Sequence, residues 1–409
     1  MMKILITIFM SILGTQFICG QNIDSILNNY YKNSSIPSCI MGYVNRDGDL
    51  NYYAFGPAIL GEHGNVDADN IFRIASMTKP ITSVAALQLV EKGLIGLDDP
   101  LNELLPEMSS IPILDENGNL RTSYTDITLR QLLTHTSGFA YNFTSGKLAN
   151  SAKYLIGYDS IIGNITNLKI DSNWDYVDNP RIFDTGTSFR YGTSTYWVGK
   201  LVEKISNMDM ENYFRENITG PLKMDHTWFN VPDNLKNKIV AWGTTDSLGN
   251  YLEHERLPKE KVTDFKGDGG LYSSVNDYLK FLQCILNDGK YEGGRILKKE
   301  TVEMMLADQL PSDVSVVWEG ITDYMPDYIK DFCDVSDRWC FIGAYENNPE
   351  ENIRANGAVW WAGVQNTYFT IDLKNKVALV FMSQLYPTVD KERFEFYRLL
   401  EKEVYQTLK

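Results

Sequence analysis

Ser76-Met77-Thr78-Lys79, followed at once by Pro80, is the stretch of the chain best suited to covalent chemistry. Ser76 and Lys79 stand three apart, so on a helix their side chains share a face. A serine hydroxyl attacks a carbonyl well only when a base takes its proton. A lysine amine held in a dry pocket can be that base. A helix start adds unpaired N–H groups and positive potential where an oxyanion would form. A chain this long meets S-x-x-K roughly once or twice by chance, so the spacing alone assigns nothing.

The elements around the motif supply its setting. Proline is rejected inside a helix and tolerated in the first turn. Pro80 therefore predicts a helix that begins within a few residues upstream, with Ser76 at or just before its first turn. Ile81, Val84, Ala85, Leu87, Leu89 and Val90 make that helix mostly buried, and Gly93 is placed to end it. Further helices are predicted over 22–31, 128–133, 194–206, 210–218, 275–287 and 391–408 from periodicity. Strands are predicted over 40–45 and 50–55, around the turn residues Asp47-Gly48, and over 358–372 and 377–384. Strands at both ends with helical material between them predict an α+β fold. Its antiparallel sheet uses both termini and is flanked by helices, with a large, mostly helical insertion over about 95–265. Segments 106–126, 139–186 and 310–356 read as long irregular connections of the kind that shape a site.

Four stretches in order give the S-x-x-K motif its context. Phe72-Arg73-Ile74-Ala75-Ser76-Met77-Thr78-Lys79-Pro80 resembles the nucleophile motif of serine hydrolases related to class C β-lactamases and penicillin-binding proteins. Leu132-Leu133-Thr134-His135-Thr136-Ser137-Gly138 looks like that family's H-T-S-G turn, and Gly267-Asp268-Gly269-Gly270-Leu271 like its glycine-rich segment. Trp361-Ala362-Gly363, ahead of Thr367-Tyr368-Phe369, is similar to the strand carrying its last motif. The resemblance covers nearly the whole chain after residue 20. It implies a β-lactamase/transpeptidase-like fold with Ser76 as nucleophile and Lys79 as base. Tyr191, in Phe189-Arg190-Tyr191-Gly192-Thr193, is implied as the phenol that shares the proton with Lys79; a packing tyrosine is the other reading.

Two departures bear on the substrate. Thr193 stands where the family has an Asn that helps bind the substrate amide. Trp361 stands where β-lactamases and D-Ala peptidases carry the cation of K-T-G or H-T-G, and the W-A-G reading is similar to the W-G-G of the esterase branch, family VIII. The resemblance thus implies neutral acyl esters or amides rather than anionic β-lactams. Trp361, Gly363 and Thr193 are expected to line the site, and the N–H groups of Ser76 and Val364 to hold the oxyanion. Trp360 is expected to point away by strand alternation. No G-x-S-x-G elbow occurs, so His135 reads as part of a hydrogen-bonded turn rather than a triad base.

Composition narrows the rest. With 409 residues, 44% hydrophobic and 12% aromatic, the chain reads as globular. A net charge of −15 argues against nucleic acid as a partner. Four histidines without H-E-x-x-H, and cysteines without C-x-x-C, predict neither metal nor cofactor. Residues 1–20 read as a signal peptide, with Lys3, an apolar run over 4–13 and Gly20 before a cut at Gln21. The run is too short to span a bilayer, so no integral membrane segment is expected. Cys333 and Cys340 are close enough to bridge in an exported chain, and buried free thiols fit equally well. The expectation is an exported, periplasmic or secreted serine hydrolase that cleaves carboxylic esters of small acyl substrates through an acyl-enzyme. A β-lactamase or D-alanyl-D-alanine carboxypeptidase and a non-catalytic ligand-binding relative are its rivals. Nothing in the sequence fixes an oligomeric state.

Overall fold

The computed structural model describes residues 23–26, 28–29, 38–123, 125–141, 144–149, 179–246, 250–258, 260–316, 337–347, 353–386 and 391–408. The expected signal segment and Cys333 lie outside them. Cys39, Cys284 and Cys340 are buried free thiols.

Seven strands form one antiparallel sheet: β1 (Cys39–Asn45), β2 (Leu50–Phe55), β3 (Arg338–Trp339), β4 (Ala344–Tyr345), β5 (Val359–Gly363), β6 (Thr367–Asp372) and β7 (Val377–Ser383). Their order is β3-β4-β5-β6-β7-β1-β2, and β1 lies antiparallel to β7, Cys39 opposite Ser383. The sheet is thus closed by strands from both ends of the chain, as the pattern predicted. Strands β3 and β4 fall inside the stretch read as irregular, because two-residue strands carry no detectable period.

The strand residues alternate between two covered faces. Tyr368 and Thr370 of β6 face the terminal helix α5 (Lys391–Thr407). Tyr368 stacks on Tyr397 at 4.6 Å, and Thr370 donates a hydrogen bond to Glu401 at 2.7 Å. Glu401 also accepts from Arg354 Nε at 2.8 Å; both are almost fully buried, and a charge there is tolerable only with such a partner. The opposite face carries Phe369, 5.8 Å from Tyr278 of α4 (Val275–Leu286).

Beside that second face runs α1 (Thr78–Glu91), whose residues from Thr78 to Leu89 are all buried. A helix apolar on every side belongs inside the molecule. It lies against α3 (Ser194–Ser206), and α2 (Leu129–Leu133) is fixed at its start by a Thr128–Gln131 capping box. The helix read over 210–218 ends as an α-helix at Phe214 and continues as a wider turn, Arg215–Thr219. Segment 106–126 contains a short helix, Pro106–Ser109, and a small strand pair, Ile113–Leu114 with Leu120–Arg121. Among the described residues no helix is long and apolar enough to cross a membrane.

Candidate active site

The nucleophile candidate sits on a strained turn. Phe72 and Arg73 pair antiparallel with Tyr272 and Ser273, and a 3₁₀ turn over Ala75–Met77 then leads into α1. Ala75 has φ 44°, in the left-handed region that costs an L-residue about 1 kcal/mol. Its neighbours hold the turn. The Ile74 N–H donates to the Leu271 carbonyl at 3.1 Å, and the Leu271 N–H donates to the Thr78 hydroxyl at 3.1 Å. Ser76 is presented at the helix start, partly exposed.

Lys79 follows one turn on, 4% exposed, on the face its spacing requires. Its Nζ lies 3.2 Å from Ser76 Oγ, 3.0 Å from Tyr141 Oη and 2.7 Å from the Asp268 carbonyl oxygen. Tyr141 Oη in turn donates to Asp268 Oδ2 at 2.5 Å. Tyr191 meets Lys79 with its ring face, the Nζ 4.8 Å from the ring centroid. The phenol hydrogen-bonded to the amine is therefore Tyr141, while Tyr191 approaches from the side.

Tyr191 Oη accepts a hydrogen bond from Trp361 Nε1 at 3.1 Å, and their rings lie 4.7 Å apart. Trp361, expected to line the site in place of a cation, thus carries a donor aimed at the phenol. Trp339 packs edge-on against Trp361 at 4.6 Å. Trp360 faces the terminal-helix side, with the Arg354 guanidinium over its ring at 4.3 Å. His135 lies behind Tyr191, at 4.9 Å between ring centroids, and its Nδ1 accepts the Gly192 N–H at 3.4 Å. Burial, and then the charge of Lys79, push the His135 imidazole well below the usual histidine range. A neutral, enclosed ring with a φ of 55° belongs to a turn. The adjoining Ser137 and Ser194 hydroxyls, 2.9 Å apart, tie that turn to the start of α3.

The remaining candidates lie close by. Thr193 is buried at the N-cap of α3, two residues after Tyr191. Gly363 ends β5 against the nucleophile turn, where a Cβ would run into the Ile74 carbonyl oxygen and Thr367 Oγ1. Val364 follows it, partly exposed. The sequence reading assigned no role to Tyr141 or to the Asp268 side chain. Both lie within or just after stretches quoted for the resemblance, and only the three-dimensional pairing shows what they touch.

The beta-lactamase family profile matches residues 23–402. Monacolin J acid methylbutanoyltransferase of Aspergillus terreus is 29% identical over 400 residues, covering 91% of this chain and 92% of the relative. Lovastatin esterase of Penicillium rubens is 29% identical over 265 residues, 61% of this chain and 62% of the relative. The unliganded, selenomethionyl structure of simvastatin synthase (LovD) from Aspergillus terreus superposes with a TM-score of 0.79 at 26% identity, covering 95% of this chain and 98% of that one. The profile covers most of the sequence, and the chain belongs to the beta-lactamase family, on a β-lactamase/transpeptidase-like fold.

Proposed function

We propose that the chain is an exported serine enzyme that takes an acyl group from a neutral ester onto Ser76 and delivers it to water or another alcohol. The observation that carries this is the buried Lys79 amine 3.2 Å from Ser76 Oγ at a helix start. Ser76 Oγ attacks the ester carbonyl as Lys79 takes its proton. We assign Tyr191, whose ring centroid lies 4.8 Å from Lys79 Nζ and whose Oη accepts the Trp361 N–H, to assist the return of that proton to the departing alcohol. The backbone N–H groups of Ser76 and Val364 are assigned to the oxyanion. The acyl-enzyme is then released by a second attack through the same groups in reverse. Trp361 in place of a cation supports neutral substrates. Relatives named as a methylbutanoyltransferase and an esterase support transfer and hydrolysis as two outcomes of one intermediate.

Turnover of a short p-nitrophenyl ester, with Ser76→Ala as control, tests the reading. The parent is expected to release p-nitrophenol and the variant to fall to background; equal rates would sink the mechanism. Added alcohol acceptor should yield the transferred ester if transfer competes with hydrolysis. Nitrocefin cleaved faster than the ester would turn the assignment toward β-lactams.

A further inference from the structure

The hydrogen bonds of Lys79 leave its amine little choice of direction. An amine nitrogen is tetrahedral, so with Cε bonded three directions remain for Nζ. The Asp268 carbonyl, 2.7 Å away, can only accept, and takes one N–H. Tyr141 commits its hydroxyl proton to Asp268 Oδ2 at 2.5 Å, so it turns its lone pairs to Lys79 and takes a second N–H at 3.0 Å. The third direction faces Ser76 Oγ at 3.2 Å. In the neutral amine that direction is the lone pair; in the ammonium it is the N–H that gives the proton back.

We propose that Tyr141 and Asp268 are positioning residues that aim Lys79 at Ser76, an inference that rests on the acyl-transfer reading above. As Oγ bonds to the carbonyl carbon, its proton moves to the Nζ lone pair and the carbonyl π electrons move to oxygen. On collapse the alcohol leaves with its bonding pair and takes back the proton that Lys79 Nζ carries in that third direction. Tyr141 and Asp268 end each cycle with the protons they began with. Asp268 acts through both its backbone and its side chain, 2% exposed, whereas Tyr141 is partly open to solvent. The anchoring is specific as well. The Thr144 hydroxyl accepts the Tyr141 N–H at 3.1 Å and donates to the Tyr191 carbonyl at 2.7 Å, so one side chain locks the backbone of both phenols.

Tyr141→Phe keeps the ring and deletes only the hydroxyl. It is expected to lower kcat for a p-nitrophenyl ester roughly 10- to 100-fold with KM within about twofold, the size of losing general-base alignment. The rate at which a fluorophosphonate labels Ser76 should fall in parallel. Asp268→Ala removes the acceptor of the Tyr141 hydroxyl proton and should behave alike, and the double variant should be no slower than the slower single one, because both residues act along one hydrogen-bond chain. If Asp268→Ala does not fold, Tyr141→Phe decides alone. Parental labelling and turnover in Tyr141→Phe, a change in KM only, or multiplying effects in the double variant would overturn the positioning role and leave the serine mechanism standing. A parent that no fluorophosphonate labels would overturn the serine mechanism and the positioning role together.

Discussion

Trp361→Phe isolates what the indole N–H contributes. Phenylalanine keeps an aromatic ring between Trp339 and Tyr191, at contacts now 4.6 and 4.7 Å between centroids, and removes the donor that reaches Tyr191 Oη at 3.1 Å. Both partners are almost fully buried, so water cannot replace the bond freely. A hydrogen bond to an oxygen that gains negative charge contributes roughly 1.5–3 kcal/mol. Taking about 2 kcal/mol, at about 1.4 kcal/mol per decade, gives a loss near 30-fold in kcat/KM. The smaller ring also leaves space that costs about 1–2 kcal/mol of stability, which is visible as a modest drop in melting temperature and leaves the protein folded at the assay temperature. Initial rates on the p-nitrophenyl ester, with Tyr191→Phe and the double variant alongside, complete a cycle. In the Tyr191→Phe background, Trp361→Phe should cost less than about twofold more, since its acceptor is already gone. A folded Trp361→Phe within about twofold of the parent would refute the donor role and return Trp361 to a plain wall.

Two further outcomes follow from the packing around the site. Gly363→Ala drives a Cβ into the backbone oxygen of Ile74, which cannot swing aside as a side chain would. It should cost about 1–3 kcal/mol in stability and at least about tenfold in the labelling rate of Ser76; parental values for both would show that the strand does not press on the nucleophile turn. His135 gives a pH signature. Its folded-state value lies below the unfolded value of 6.5, so the unfolded chain binds the extra proton and stability is lost as pH falls below that value. Between pH 7.5 and 5.5 this group therefore lowers stability as the unfolded imidazole takes up its proton. His135→Asn keeps an acceptor for the Gly192 N–H and tolerates the left-handed backbone. Urea unfolding at pH 7.5 and 5.5 should show a smaller drop in the variant, and equal drops would exclude His135 as the source.

What the sequence disclosed depended on how local each signal is. Pro80 after Ser76-x-x-Lys79 fixed the helix start, and α3 begins at Ser194 as its periodicity required. Alternation along β5 separates Trp361 from Trp360, and the two face opposite sides of the sheet. Other features had no local signature. Alanine carries no preference for positive φ, so the left-handed Ala75 is imposed by the hydrogen bonds to Leu271 and Thr78 rather than written at that position. The direction of the Trp361 N–H depends on where Tyr191 comes to rest, 170 residues away in the chain.

The same distinction explains why the covalent chemistry is easier to read than the choice of substrate. Ser76 and Lys79 need only a helix turn to meet, and a short motif encodes a helix turn completely. The proposed aiming of the amine draws on Tyr141 and Asp268 as well, the latter 189 residues from Lys79 and a few residues before the pairing of Tyr272-Ser273 with Phe72-Arg73. Each step outward from the reacting oxygen thus draws on contacts between more distant segments. The choice of acyl group and acceptor carries no comparable short motif in the sequence. Relatives at 29% identity bearing the names of a transferase and an esterase fit that hierarchy. On the proposed mechanism a few hydrogen bonds around Lys79 serve the acyl-enzyme whichever acceptor relieves it. A change of loop that admits a bulky alcohol and excludes water would move this chain from hydrolysis to transfer with Ser76, Lys79 and Tyr141 untouched.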